Sequence, residues 1–291
     1  MARAFLLIFF CILPFFCAEI FASSLSPAAP LEYDDEKARL GKKLFFDASL
    51  SPGGTVSCEK CHNLYWELSG TSKKNIKISA DKEASPPTAL NSALNFIFFK
   101  DGRVKDIKEQ VKQSLTGKEQ LGEEPKKLEE KVCLNAVYKK EFERLYPGGV
   151  SFENIADALV NFEKALVTPN AKFDKFIGGD ENALSGDEKR GFELFKKIGC
   201  INCHSGVNLG ANIYYELNSG DKGKQGRYKV PSLRNIEKTA PYLYSGEIAD
   251  LKDAIKFIAK ERIGYELSDE QTQLLYKFLL ALSGERPEIL K

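Results

Sequence analysis

The chain has 291 residues, enough for one large domain or two of ordinary size. Apolar residues make up 43% and charged residues 29%, a globular composition that excludes a disordered chain or a fibrous repeat. A net charge of +1 gives no overall basic field for nucleic acid, and two His in the whole chain exclude a metalloenzyme built on several His ligands.

The N-terminus comes first. Arg3 precedes fifteen uncharged residues, Ala4 to Ala18, and Glu19 ends the run. A bilayer span needs about 20 residues, and Pro14 interrupts this one. A basic start, an apolar core and a small-residue exit spell an export signal over residues 1–22, with an uncleaved anchor as the alternative. No later run is long enough to span, so no stable membrane span is expected after cleavage. Met1, the sole Met, leaves with the signal.

Seven Cys fall into groups. Cys11 and Cys17 sit in the signal. Cys58-Glu59-Lys60-Cys61-His62 and Cys200-Ile201-Asn202-Cys203-His204 both have the C-x-x-C-H form, the attachment pattern of a c-type haem. Two thiols add to the two vinyl groups of one porphyrin, and the next His then lies under the iron as its axial ligand. A zinc site or a redox dithiol is the competing reading, but neither calls for a His at that position twice. Both His of the chain are used in these motifs. Cys133 is left over, and a buried helical thiol is its default state.

The motifs sit in similar frames. Gly41-Lys42-Lys43-Leu44-Phe45-Phe46 precedes the first and Gly191-Phe192-Glu193-Leu194-Phe195 the second, each an amphipathic helix leading to a haem loop. Between His62 and Phe162 the pattern predicts a helix around Ile107–Leu115 and a charged helical stretch from Lys126 to Leu145. Ile155, Leu159, Phe162 and Leu166 form an apolar helical stripe, and Leu275, Phe278, Leu279 and Leu282 form another. Ser185 with Glu188, and Ser268 with Gln271, have capping-box spacing. The expected fold is mainly α: two cytochrome c-like domains, each with one covalently bound c-type haem. The first would cover residues 23–168 and the second 169–291, with a turn at Thr168-Pro169-Asn170 between them.

Beyond the two His, no Met survives maturation. Bis-His and His/Met coordination within the chain are therefore excluded for both haems. An open iron site can bind peroxide, which a carrier with two saturated haems cannot do.

The sequence resembles the bacterial di-haem cytochrome c peroxidases and the related MauG-type enzymes over residues 35 to 285. The motifs that carry the resemblance are Leu40 to Asp47, Ser57 to Asn63, Pro87-Thr88, Asp101-Gly102-Arg103, Glu109-Gln110, Lys229 to Asn235 and Thr239 to Tyr242. It implies a peroxidatic N-terminal haem held by His62 and an electron-transfer haem held by His204. Gln110 resembles the distal glutamine of the peroxidatic pocket. The family's distal acid falls at Gln120 in a gap-free alignment and at Glu119 with a one-residue shift. A carboxylate is the better proton shuttle, which favours Glu119.

On the other face of the His204 haem, the family's Met or Tyr ligand corresponds to Ile258, which cannot bind iron. A nearby family His corresponds to Tyr244, a candidate ligand, with Tyr265 a weaker one. The family's inter-haem Trp is Lys100 here, and Trp66 lies elsewhere. The movable distal His of resting peroxidases is absent, so the pocket is expected to open without reductive activation. The backbone carbonyls of Thr239 and Pro241 are candidate calcium ligands, although the family's Asn ligand aligns with Ser85. Arg234 suits a haem propionate, or alternatively an ion pair.

The resemblance therefore implies a periplasmic peroxidase-like oxidoreductase. It would reduce hydrogen peroxide with electrons from a small c-type cytochrome or from a protein substrate. A di-haem electron carrier or haem-based sensor without turnover is the alternative. Homodimers are common among the family's peroxidases.

Overall fold

The computed structural model describes residues 25–65, 69–72, 76–79, 82–84, 86–217, 226–243 and 246–291. The export signal, Trp66, Ser85 and Tyr244 lie outside the described residues. The fold is mainly helical, with two short antiparallel hairpins.

Two helix pairs frame it. Helix α1 (Asp35–Phe46) starts where the Asp34 carboxylate accepts from the Lys37 amide. It packs on α6 (Phe152–Lys164), which Ser151 caps in the same way. They approach closely at Gly41: a Cβ there would lie 2.0 Å from the Ala158 carbonyl oxygen. The second pair repeats this. Helix α8 (Gly186–Lys197) meets α10 (Asp269–Leu280) at Gly191, where a Cβ would lie 2.1 Å from the Leu274 oxygen. Glycine costs helix stability, so its place in both helices follows from backbone approach. Phe45 meets Phe162 edge-on with ring centres 5.2 Å apart, and Phe195 lies 5.2 Å from Phe278. Both expected capping boxes, Ser185 with Glu188 and Ser268 with Gln271, are formed.

Between the pairs, α2 is the single turn Cys58–Cys61 and α3 is Ile107–Thr116. The charged stretch is two helices, α4 (Pro125–Leu134) and α5 (Ala136–Leu145). Asn135 divides them because its side-chain oxygen accepts from the Val137 and Tyr138 amides. Cys133 on α4 is exposed rather than buried: Leu128 and Val132 take the inward face of this helix.

Helix α7 (Lys172–Ile177) precedes α8, and α9 (Leu251–Ile258) runs into a wider π turn, Ala259–Ile263. The hairpins are β1 (Ile76–Ser79) with β2 (Lys82–Ala84), and β3 (Tyr214–Leu217) with β4 (Gly226–Lys229).

The apolar core is in two main clusters. One runs from Ala38 to Leu166 and the other from Phe173 to Leu282. The two ends of the described chain cross between them. Leu25 packs on the second cluster, while Ile289 and Leu290 are buried in the first.

Candidate haem sites

In the first motif Ser57 caps the turn of α2 by accepting from the Lys60 amide, and the His62 amide returns to the Cys58 carbonyl at 2.8 Å. The three motif side chains thereby gather around one turn. His62 Nδ1 lies 3.0 Å from the Pro87 carbonyl oxygen. A carbonyl can only accept, so Nδ1 carries the proton and the lone pair falls on Nε2. Thr88 Oγ1 holds the Pro87 segment by donating to the Ser69 carbonyl at 2.8 Å, and Thr71 Oγ1 donates to the Pro86 carbonyl. Gly70, with φ +62, fits under this segment, where a Cβ would come within 2.5 Å of Thr88 Oγ1.

The second motif follows α8 through Gly199 at φ 91, a left-handed turn that suits glycine. The His204 amide returns to the Cys200 carbonyl at 2.9 Å, and His204 Nδ1 lies 3.2 Å from the Leu209 carbonyl oxygen. The same tautomer follows. Burial pushes the His204 imidazole down to about 4, against two backbone carbonyls that raise it, and burial lowers His62 as well. Both rings are thus neutral at pH 7, the form that binds a metal.

Cys58, Cys61, Cys200 and Cys203 are all free thiols, and burial raises Cys58 to about 12 and Cys200 to about 11. Among the described residues no group of three or more His, Cys, Asp and Glu is placed to hold a metal ion. The donor set of each motif fits haem. Each loop offers two reduced thiols two residues apart and an imidazole with its proton fixed on Nδ1, the orientation that ligating His commonly shows.

The other expected residues are spread around these loops. Gln110 is half-buried on α3, and its Nε2 donates to Ser114 Oγ at 2.8 Å. Glu119 and Gln120 are both exposed on the turn after α3. Ile258 is half-buried at the end of α9. Tyr265 stands at the surface, its hydroxyl accepting from Gln271 Nε2 at 3.0 Å. Lys100 accepts from the Lys229 amide through its carbonyl, which ties its loop to β4. Thr239 donates its hydroxyl to the Ile236 carbonyl, two residues before Pro241.

Arg234 differs from the propionate expectation. Its guanidinium is buried and donates to both oxygens of Asp174 at 2.8 Å and twice to the Val207 carbonyl. Its carboxylate partner in the structure comes from α7, so the planar fork is committed inside the protein.

Sequence reasoning passed over Glu163 on α6. Burial pushes this carboxyl up to about 7, and its charge in turn raises Cys58. A carboxylate between Phe162 and the end of an apolar stripe was the available signal.

Known proteins give the same picture. The di-haem cytochrome c peroxidase family matches residues 35–182. A cytochrome c551 peroxidase of Nitrosomonas europaea is 34% identical over 274 residues, covering 87% of this chain and 81% of that protein. The methylamine utilization protein MauG of Methylophilus methylotrophus is 30% identical, covering 86% of this chain and 83% of that protein. The crystal structure of a MauG-like protein associated with microbial copper homeostasis shares the fold. Its TM-score is 0.76 at 22% identity, over 91% of this chain and 96% of that one. The chain belongs to the di-haem cytochrome c peroxidase family and is a peroxidase-like enzyme.

Proposed function

We propose that the mature chain carries two covalent c-type haems. They would be bound at Cys58, Cys61 and His62, and at Cys200, Cys203 and His204. We propose further that it reduces hydrogen peroxide at the first. The observation that carries this reading is the matched pair of loops, each with two free thiols and an imidazole fixed by a backbone carbonyl. When bound, the haems supply iron that accepts and passes on single electrons. His62 and His204 would hold that iron through Nε2. Gln110 would orient peroxide through its amide, and Glu119 or Gln120 would deliver the proton. Reduction consumes two electrons and two protons per peroxide and yields two waters.

The electrons would come from a small c-type cytochrome or from a protein substrate that becomes oxidised, and enter through the His204 haem. Tyr244 would be a further ligand of the His204 haem. Thr239 and Pro241 are the proposed calcium ligands. Export to the periplasm by residues 1–22, homodimerisation, and domains at 23–168 and 169–291 complete the proposal. Among the described residues no helix is long and apolar enough to cross a membrane.

The test is mixing peroxide with the fully oxidised protein without a donor, followed by peroxide consumption with a reduced small cytochrome. The expected result is a haem spectral change without prior reduction and turnover once the donor is added, both abolished in His62→Gly. An oxidised protein that is inert until half-reduced would show that another side chain blocks the iron. A protein inert in both states would favour the electron carrier or sensor.

A further inference from the structure

A buried polar cluster links Asn91 and Thr168 in the first half of the chain to Asn208 and Asn235 in the second. Asn91, Thr168, Asn208 and Asn235 are each at most 1% exposed. Asn91 Oδ1 accepts from the Thr168 amide at 2.8 Å, and Asn91 Nδ2 donates to Thr168 Oγ1 at 2.9 Å. Asn235 Nδ2 donates to the same hydroxyl at 3.1 Å. Asn208 Nδ2 places both hydrogens on the first half of the chain, donating to the Asn91 carbonyl at 3.1 Å and to Asn95 Oδ1 at 2.6 Å. Ser232 Oγ donates to the Asn208 carbonyl at 2.7 Å and to Asn208 Oδ1 at 3.0 Å. Every polar atom of this amide therefore has a partner, as buried amides require.

The next residue is Leu209, whose carbonyl meets His204 Nδ1. Its φ is 44°, in the left-handed region. That conformation costs a branched side chain about 1–2 kcal/mol, so the loop keeps it only where its flanks are held. They are held on both sides. Arg234 donates twice to the Val207 carbonyl, the Asn208 amide is fixed as above, and the Gly210 amide returns to the Ser205 carbonyl.

We propose that Asn208 is a positioning residue for His204: it holds the Leu209 carbonyl against the imidazole and takes its own bearing from Asn91 and Asn95. The second haem's axial ligand is then oriented by the first half of the chain. This rests on the haem reading above. An imidazole that donates to a carbonyl is a more basic ligand, so loosening the contact favours reduced iron.

Asn95→Ala in the full haem-loaded chain removes one bond across the halves from a residue outside both motifs. The expected result is a changed ferric electron spin resonance signal for the second haem. Its reduction equilibrium constant should rise about three- to tenfold, while the first haem is unchanged. Asn95→Asp keeps the acceptor and should restore the wild-type spin resonance signal. Asn208→Ala removes both donated bonds and should shift the second haem further in the same direction; if it fails to fold, the Asn95 pair carries the test. Unchanged second-haem signals in Asn95→Ala would overturn the proposal. So would an Asn95→Asp protein that is altered as much as the Ala variant. A chain without haem at His204 would overturn the haem reading, and this inference with it; unchanged signals on a loaded chain overturn this inference alone.

Discussion

Arg234 donates to both carboxylate oxygens of Asp174, in a pair that is 1% and 7% exposed. Asp174 Oδ1 also accepts from the Ala28 amide at 3.1 Å. The pair thus joins the N-terminal segment, helix α7 and the loop after the second haem motif. Removing one partner of such a pair leaves a buried charge uncompensated. Arg234→Ala is expected to cost about 3–5 kcal/mol of unfolding free energy. The double variant Arg234→Met with Asp174→Leu is expected to regain much of it. Denaturant unfolding curves measure both, and equal losses in the two would contradict the account.

Gly41→Ala and Gly191→Ala put a methyl group against a backbone oxygen of the partner helix. Alanine is the better helix former, so local propensity argues for a gain. The contact distances of 2.0 and 2.1 Å argue for a larger loss. Each variant is expected to lose roughly 1–3 kcal/mol, read as a lower melting temperature. An unchanged or raised value would mean that the helices separate at little cost.

Burial pushes the Glu163 carboxyl up to about 7 from its ordinary 4.5, with the Ser92 hydroxyl at 2.8 Å offsetting part of the effect. The folded state then keeps a proton that the unfolded chain releases. The stability this contributes is fully present below about pH 4.5 and is lost as pH rises through 7. Glu163→Gln keeps the neutral form. It is expected to add about 1–3 kcal/mol at pH 8 and nothing at pH 4.5, measured by thermal melts at the two pH values. The same gain at both would show that the carboxyl does not titrate in this range.

Gln110→Ala is expected to slow the peroxide reaction of the oxidised protein about tenfold, the worth of one hydrogen bond, with haem spectra retained. Of Glu119→Gln and Gln120→Ala, the one that removes the proton-transfer group is expected to cost about a hundredfold or more. Stopped-flow mixing with peroxide separates them. Rates unchanged in all three variants would place the distal pocket elsewhere.

Short-range chemistry was legible in the sequence. The two haem motifs are read from a two-residue spacing, the helix stripes from apolar period, and the capping boxes from residues three apart. The echo of Gly41 and Gly191 was visible as a pattern, but its cause, a carbonyl on a distant helix, was not. Arg234 was readable as a carboxylate binder, yet its partner lies on a separate helix, and a haem propionate satisfies the same chemistry. Thr168 read locally as a turn residue, and Asn91, Asn208 and Asn235 carried no local signal of their partners. Their meeting depends on how the two halves close, which no local pattern encodes. The split between α4 and α5 turned on one cap, Asn135, inside a stretch otherwise periodic enough for a single helix.

Intact mass spectrometry of the mature protein tests the central claim, that both prepared loops carry covalent haem. The account expects a mass raised by two haem groups, with Cys58 and Cys61 on one modified peptide and Cys200 and Cys203 on the other. A mass raised by one haem or by none would contradict it.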